Sequence, residues 1–210
     1  NSKLESYYLI TLANSGDEKY ILAGGYNTPL LYSNDYGTTF NNKIIANKWF
    51  EIKVSNSGQY QTAIGPTNLV YVSKDYGYTF ITITIDGLKS ASNYLAMSYD
   101  GKYQTITQVK TINVSSDYGE TWRNINLDGI VNSNNLFGIC MSGNGQIQMA
   151  VGNDGEIYKS IDYGNTWNHI YTITESSLYF YNISMSSDGK YILVPNYSGN
   201  IWISYDSGTN

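Results

Sequence analysis

Five aspartates recur at near-equal intervals along this 210-residue chain: Asp35, Asp75, Asp117, Asp162 and Asp206, separated by 40, 42, 45 and 44 residues. Each follows a serine by two positions and precedes a glycine by two, giving Ser33 and Gly37, Ser73 and Gly77, Ser115 and Gly119, Ser160 and Gly164, Ser204 and Gly208. Carboxylates repeated in this way could bind a metal or a ligand, because ionised carboxylates are hard oxygen donors. Turn chemistry accounts for the pattern more simply. Asp and Ser side chains hydrogen-bond the backbone of their own turn, and Gly takes the positive φ a tight turn requires. One copy per repeating unit also spreads the carboxylates too far apart to share an ion. The aspartates are therefore expected to be structural, with no metal and no cofactor.

Other groups suggest catalysis less strongly. Asp86 in IDGL and Asp128 in LDGI occupy equal positions in adjacent units, and Asp154, Glu156 and Glu175 could join them. Two carboxylates flanking a sugar would make a carboxylate glycoside hydrolase, but Asp-Gly is equally a favoured turn dipeptide. His169 is the sole histidine and Cys140 the sole cysteine, so no internal disulfide can form. Cys140 lies in the apolar run LFGICM and is expected as a small core residue on an inner strand. His169 is expected on an outer strand, which separates it from any nucleophile and argues against a triad.

Composition narrows the partners. The net charge is −5, the lysines are scattered and Arg123 is the only arginine. Nucleic acids and anionic membrane surfaces select clustered cations, so neither is an expected partner. No apolar stretch approaches the length of a membrane span.

The elements that must position these groups are strands. The chain has 22 Tyr and 20 Gly but only 3 Pro, a composition suited to pleated surfaces joined by tight turns. A second signature keeps step with the aspartates. NSGDEKY, SNSGQY, SYDGKY, SGNGQI and SSDGKY carry Gly16, Gly58, Gly101, Gly145 and Gly189. Each unit then reads as four short strands. In the second unit these are FEIKVS, QYQTAIG, NLVYVS and TFITITI. A repeat of 40 to 45 residues with four strands is the signature of one propeller blade.

The pattern Ser-x-Asp-x-Gly-x-Thr-aromatic resembles the Asp box, the bacterial-neuraminidase repeat of sialidases, photosystem assembly factors and sortilin-type receptors. Four copies match fully: SNDYGTTF, SKDYGYTF, SSDYGETW and SIDYGNTW. The fifth, SYDSGTN, has Asn210 in place of Thr and lacks the aromatic residue. The resemblance implies a scaffold without the enzyme. Sialidases clamp the substrate carboxylate with three arginines, and lysine is a poor substitute for a bidentate guanidinium. It also implies that ligands meet the face opposite the boxes, where the connecting loops carry Tyr26, Trp49, Asn68, Asp86, Asp128, Asn153, Asp154 and Tyr197. Aromatic faces and amides there suit protein or glycan contacts.

The sequence therefore predicts an all-β, five-bladed β-propeller of four antiparallel strands per blade, a single domain over 1–210. The units are 6–45, 46–88, 89–131, 132–174 and 175–210 with 1–5. The N-terminal NSKLE is expected to complete the last blade as its outer strand, with Leu4 its apolar contact. Closure brings 2 residues after Gly208 and 16 up to Gly16 into a nearly full interval. Part of a larger propeller, or a half-ring that dimerises, remains open at this point. The functional expectation is a monomeric, non-catalytic binding module for protein or glycan. A glycosidase using Asp86 and Asp128 and a purely structural repeat protein are the alternatives.

Overall fold

Short runs of alternating β-branched and aromatic residues between Gly- and Ser-rich turns leave the chain little choice but strands. The structure, a computed structural model, describes residues 7–46, 48–66, 69–88, 94–108, 110–127, 136–152, 154–173, 180 and 182–209. Among these are nineteen strands in five antiparallel sheets. Sheet 1 is β1 (Tyr8–Asn14), β2 (Ile21–Tyr26), β3 (Pro29–Ser33) and β4 (Asn41–Ile45). Sheet 2 is β5 (Glu51–Val54), β6 (Gln61–Ile64), β7 (Leu69–Ser73) and β8 (Ile81–Thr84). Sheet 3 is β9 (Tyr94–Met97), β10 (Gln104–Gln108), β11 (Thr111–Ser115) and β12 (Arg123–Asn126). Sheet 4 is β13 (Leu136–Met141), β14 (Gln148–Gly152), β15 (Glu156–Ser160) and β16 (Asn168–Thr172). Sheet 5 is β17 (Ser184–Met185), β18 (Ile192–Pro195) and β19 (Ile201–Ser204).

Within each sheet the strands pair in chain order. The first strands of successive sheets pack on one another, β1 on β5, β5 on β9, β9 on β13 and β13 on β17. The result is a propeller-like fold in which the chain moves from inside to outside and returns for the next sheet.

Four apolar clusters fill the four junctions. Leu22, Leu30 and Tyr32 of sheet 1 meet Ile52 and Ala63 of sheet 2. Ile64, Val70 and Val72 then meet Leu95 and Ile106. Ile112 and Val114 meet Ile139 and Ala150. Met149, Val151 and Ile157 meet Ile183, Ile192 and Val194. Each cluster joins the outgoing face of one sheet to the incoming face of the next, so neither sheet has a complete core of its own.

Polar ladders run through the same junctions. Gly16 N donates to Asn56 O, Asn56 N to Tyr99 O, Tyr99 N to Gly143 O and Gly143 N to Ser187 O, each at 2.8 Å. Thr62 Oγ1 donates to Gln104 Oε1 (2.8 Å) and Thr105 Oγ1 to Gln148 Oε1 (2.6 Å). Each glutamine also donates to the turn glycine carbonyl before it, Gly101 or Gly145. Sheet 1 has Leu22 where sheets 2 and 3 have Thr62 and Thr105, and Gln61 Oε1 is buried without a partner.

The inner turns require one correction to the sequence alignment. Ser15, Ser55, Ser98, Ser142 and Ser186 each accept the backbone N–H five residues on. Three residues past these serines stand Glu18, Gly58, Gly101, Gly145 and Gly189, all at positive φ. The first-sheet counterpart of the turn glycines is thus Glu18 (φ 63) and not Gly16. The reason is packing. A Cβ on Gly58 would meet Tyr20 at 2.2 Å, on Gly101 Tyr60 at 2.6 Å, and on Gly145 Tyr103 at 2.8 Å. Glu18 is exposed, with no preceding sheet against it among the described residues.

The ring closure expected from the sequence is likewise not formed among the described residues. Leu12 is 62% exposed, whereas its register equivalents Ile52 and Leu95 are 0% and 2% exposed. Ile201 is 62% exposed against 0% for Val70 and Ile112. The N–H of Ser187 finds no Gly16 carbonyl to extend the 2.8 Å ladder. The closing strand assigned to 1–5 lies outside the described residues.

Candidate functional site

The Ser-x-Asp-x-Gly segments are the hairpins from the third to the fourth strand. In the first, Ser33 Oγ donates to Asp35 Oδ1 (2.8 Å) and accepts from Gly37 N (2.9 Å). Asp35 Oδ1 accepts Thr39 N (2.9 Å), and Oδ2 accepts Thr39 Oγ1 (2.6 Å). The same bonds recur at Asp75, Asp117 and Asp162. At Asp206 the threonine comes one residue early, and Thr209 N donates to the carboxylate at 3.1 Å. Both oxygens of the four full copies are therefore engaged by their own turns. Hydrogen bonds from Thr39 and Ser33 hold the Asp35 carboxyl below its ordinary value. At Asp75, Asp117 and Asp162 partial burial pulls upward, and the Thr and Ser bonds outweigh it, so these carboxyls also lie low.

Sequence reasoning missed the residue between Asp and Gly. Tyr36, Tyr76, Tyr118, Tyr163 and Ser207 all have positive φ, between 60° and 64°, uncommon for residues with a Cβ. Their N–H groups dock on the inner turn of the same sheet, as Tyr118 N does on Lys102 O at 3.1 Å. Three of the rings lie against the preceding sheet: Tyr76 on Tyr20 (5.0 Å between centroids), Tyr118 on Tyr60 (4.1 Å) and Tyr163 on Tyr103 (4.4 Å). The recurring Asp-Tyr-Gly was the available signal. Beside the last stack, a polar crevice of about 500 Å³ is lined by Lys102, Thr121, Trp122, Arg123 and Asn165. Arg123 donates to Asn165 Oδ1 at 2.8 Å and is exposed at the start of β12.

The other sequence candidates are dispersed. Trp49 is a correction: it is fully buried, donates to Thr28 O at 3.0 Å and packs edge-on against Tyr71, so it belongs to the core. Its apolar bulk fills a slot opened by Gly24, where a Cβ would meet the indole at 2.7 Å. Tyr26 is exposed, with the Lys48 ammonium 4.7 Å from its ring centre. Asp86 is exposed in a turn whose Gly87 carbonyl accepts Gln108 Nε2. Asp154 and Tyr197 are exposed in hairpins of sheets 4 and 5. Asn68, Asp128, Asn153 and Glu175 lie outside the described residues. Glu156 is buried and accepts the Tyr158 hydroxyl. Cys140 sits on β13, the first strand of sheet 4, with its thiol pushed up to about 12 by burial. His169 sits exposed on β16, the fourth strand, bonded to Thr172 Oγ1.

Repeated sheets, stapled turns and engaged carboxylates describe a scaffold, and a scan against family models identifies which one. Residues 46–210 match the family described as Photosynthesis system II assembly factor YCF48. This chain belongs to that family. The match begins ahead of β5 and so takes in sheets 2 to 5, which carry the threonine–glutamine contacts and two of the three tyrosine stacks formed wholly within them. A search of curated proteins found no match. Membership in this family accounts for the BNR-type repeats and for the all-β, propeller-like architecture.

Proposed function

We propose that the chain is a non-catalytic, Asp-box propeller module that binds other proteins, an assembly or interaction factor and not a hydrolase. The family match over residues 46–210, to a family described as an assembly factor, carries this reading. The site geometry supports it. The repeated aspartates spend their oxygens on their own turns. Asp86 stands on an exposed turn with open space around Gly87, a placement suited to contact and not to enclosing a substrate. Exposed tyrosines such as Tyr26 and Tyr197 offer large amphipathic contact surfaces.

The test is reciprocal affinity capture with cross-linking, alongside a glycan array and a glycosidase assay. The expected result is one or more defined protein partners that also capture this chain in return. Glycan binding without a protein partner would sink the reading. So would glycoside hydrolysis lost in Asp86→Asn or Asp128→Asn.

A further inference from the structure

The outer grooves between neighbouring sheets can be compared position by position, because the turns flanking them repeat. Three of them are crossed by a side chain whose polar head is already engaged. Between sheets 1 and 2, Lys43 Nζ donates to Tyr78 O at 3.3 Å, and Asn34 Nδ2 reaches the Tyr78 hydroxyl at 3.5 Å. Between sheets 2 and 3, the Lys74 ammonium pairs with the Glu120 carboxylate. Between sheets 4 and 5, Lys159 Nζ donates to Ser207 O at 2.6 Å.

The groove between sheets 3 and 4 differs. Where Lys74 meets Glu120 in the preceding groove, the equivalent residues here are Ser116 and Asn165, and no bond joins them among the described residues. The crevice of about 500 Å³ opens at this place, within the usual size of a small-ligand site. Two cations line it, and neither is spent on a carboxylate among the described residues. Arg123, the only arginine of the chain, donates Nη2 to Asn165 Oδ1 at 2.8 Å. Asn165 Nδ2 in turn donates to Asp162 O at 2.6 Å. A neutral amide anchored on the next sheet thus fixes the guanidinium while leaving its charge and its other N–H groups for an acceptor. The Lys102 ammonium lies 5.2 Å from the centre of the Tyr103 ring. Ser116 is exposed and adds a hydroxyl. The carboxylates adjoining the crevice along the chain, Asp117 and Asp162, are taken up by Thr121 and Thr166 of their own turns.

We propose that this crevice binds a phosphomonoester dianion. Two cations balance two negative charges, whereas a carboxylate would leave one cation unmatched. The planar fork of Arg123 takes phosphoryl oxygens, the Lys102 ammonium acts as a point charge, and the Ser116 hydroxyl donates to a remaining oxygen. The chemistry is shared by a phosphorylated side chain of a protein and by a free phosphomonoester. The site lies among the Ser-x-Asp-x-Gly turns, goes beyond the interaction-module reading and does not depend on it.

Because Arg123 is the only arginine, its Nε–H pair gives one isolated signal in a proton–nitrogen correlation spectrum of the isotope-labelled full chain. The probes are glycerol 2-phosphate, an end-blocked Ala-Gly-phosphoserine-Gly-Ala peptide, and the same peptide with glutamate in place of phosphoserine. The expected result is a saturable shift of the Arg123 signal with both phosphate probes, and much weaker binding of the glutamate peptide. Lys102→Gln weakens phosphate binding roughly tenfold, as loss of a bond to a charged group demands. Asn165→Ala, which frees the guanidinium, also weakens it. Lys43→Gln, in the groove between sheets 1 and 2, leaves it unchanged. Circular dichroism checks the fold of each variant, and if one unfolds the probe series on the unaltered chain decides. No saturable shift, equal binding of the glutamate and phosphoserine peptides, or affinity untouched by Lys102→Gln overturns the proposal. Tighter binding of the phosphopeptide than of glycerol 2-phosphate upholds it with a protein as the source. Equal binding of the two upholds it with a free phosphomonoester as the source. Reciprocal capture of a protein partner is a separate measurement, so failure here is distinguishable from failure of the interaction-module reading.

Discussion

The junction between sheets 2 and 3 and the outer faces of sheets 1 and 5 use the same register positions in opposite states. At the junction, Val70, Val72 and Leu95 are sealed from water, Thr62 reaches Gln104, and Tyr60 stacks on Tyr118. At the outer faces Leu12, Leu193, Ile201 and Ile203 are exposed, Tyr36 is solvated, and Glu18 replaces the turn glycine. A sheet in this molecule is therefore half of two interfaces. What a residue contributes depends on whether the next sheet is there to complete the second half.

The largest expected difference comes from paired truncations. Leu95→Ala empties a filled junction and should destabilise by about 2–5 kcal/mol, while Leu12→Ala at the equivalent open position should change stability by less than about 0.5 kcal/mol. Urea denaturation of both variants decides this, and similar losses would mean that sheet 1 is covered in solution.

Next come two glycines of nearly equal φ. Gly101 (φ 81) lies against Tyr60, and Gly87 (φ 79) has nothing within 4 Å. Gly87→Ala should cost about 1–2 kcal/mol for the left-handed conformation alone. Gly101→Ala should add about 1–3 kcal/mol of overpacking. Equal losses in thermal melts would show that the tyrosine yields freely.

The glutamine ladder gives a smaller contrast. Gln104→Ala strips partners from Thr62 and the Gly101 carbonyl and should cost about 1–3 kcal/mol. Gln61→Ala should cost less, because Gln61 Oε1 already lacks a partner. Chemical denaturation that ranked them the other way would remove the ladder from the account of junction strength.

The smallest effect is pH dependence. The turn aspartates Asp35, Asp75, Asp117 and Asp162 have folded pKa values below the ordinary aspartate value of 3.8. Their contribution is therefore fully present above 3.8 and is lost as pH falls through the lower folded values. Asp117→Asn should flatten the acid limb of the melting temperature below about pH 4. An unchanged limb would mean that the Thr121 and Ser115 bonds do not favour the ionised form.

Much of the fold was legible because its code is local. Ser33, Asp35 and Gly37 and their repeats specify a hairpin through bonds that span four residues, so spacing alone located the strands on either side. In the second unit the expected strands coincide with β5 to β8 to within a few residues. The inner turns were less legible. Gly16 drew the alignment because glycine stood out, whereas the true equivalent is Glu18. Gly58, Gly101 and Gly145 each lie against a tyrosine, whereas among the described residues Glu18 is exposed. Trp49 was misplaced for a related reason. Its neighbours in sequence look like a loop, but a distant Gly24 opens the slot that buries it.

The sequence by itself determined the unit, its strand order and the use of the turn aspartates to hold their own hairpins. These follow from hydrogen bonds and periodicities a few residues long. Tertiary structure alone decided which apolar faces are covered among the described residues, which tyrosines stack, and that an apolar cavity lies between sheets 4 and 5. Those features depend on residues 42 to 58 positions apart meeting across a junction, and apolar residues recur at equivalent positions, as Leu12, Ile52 and Leu95 do, whether or not a neighbouring sheet covers them among the described residues.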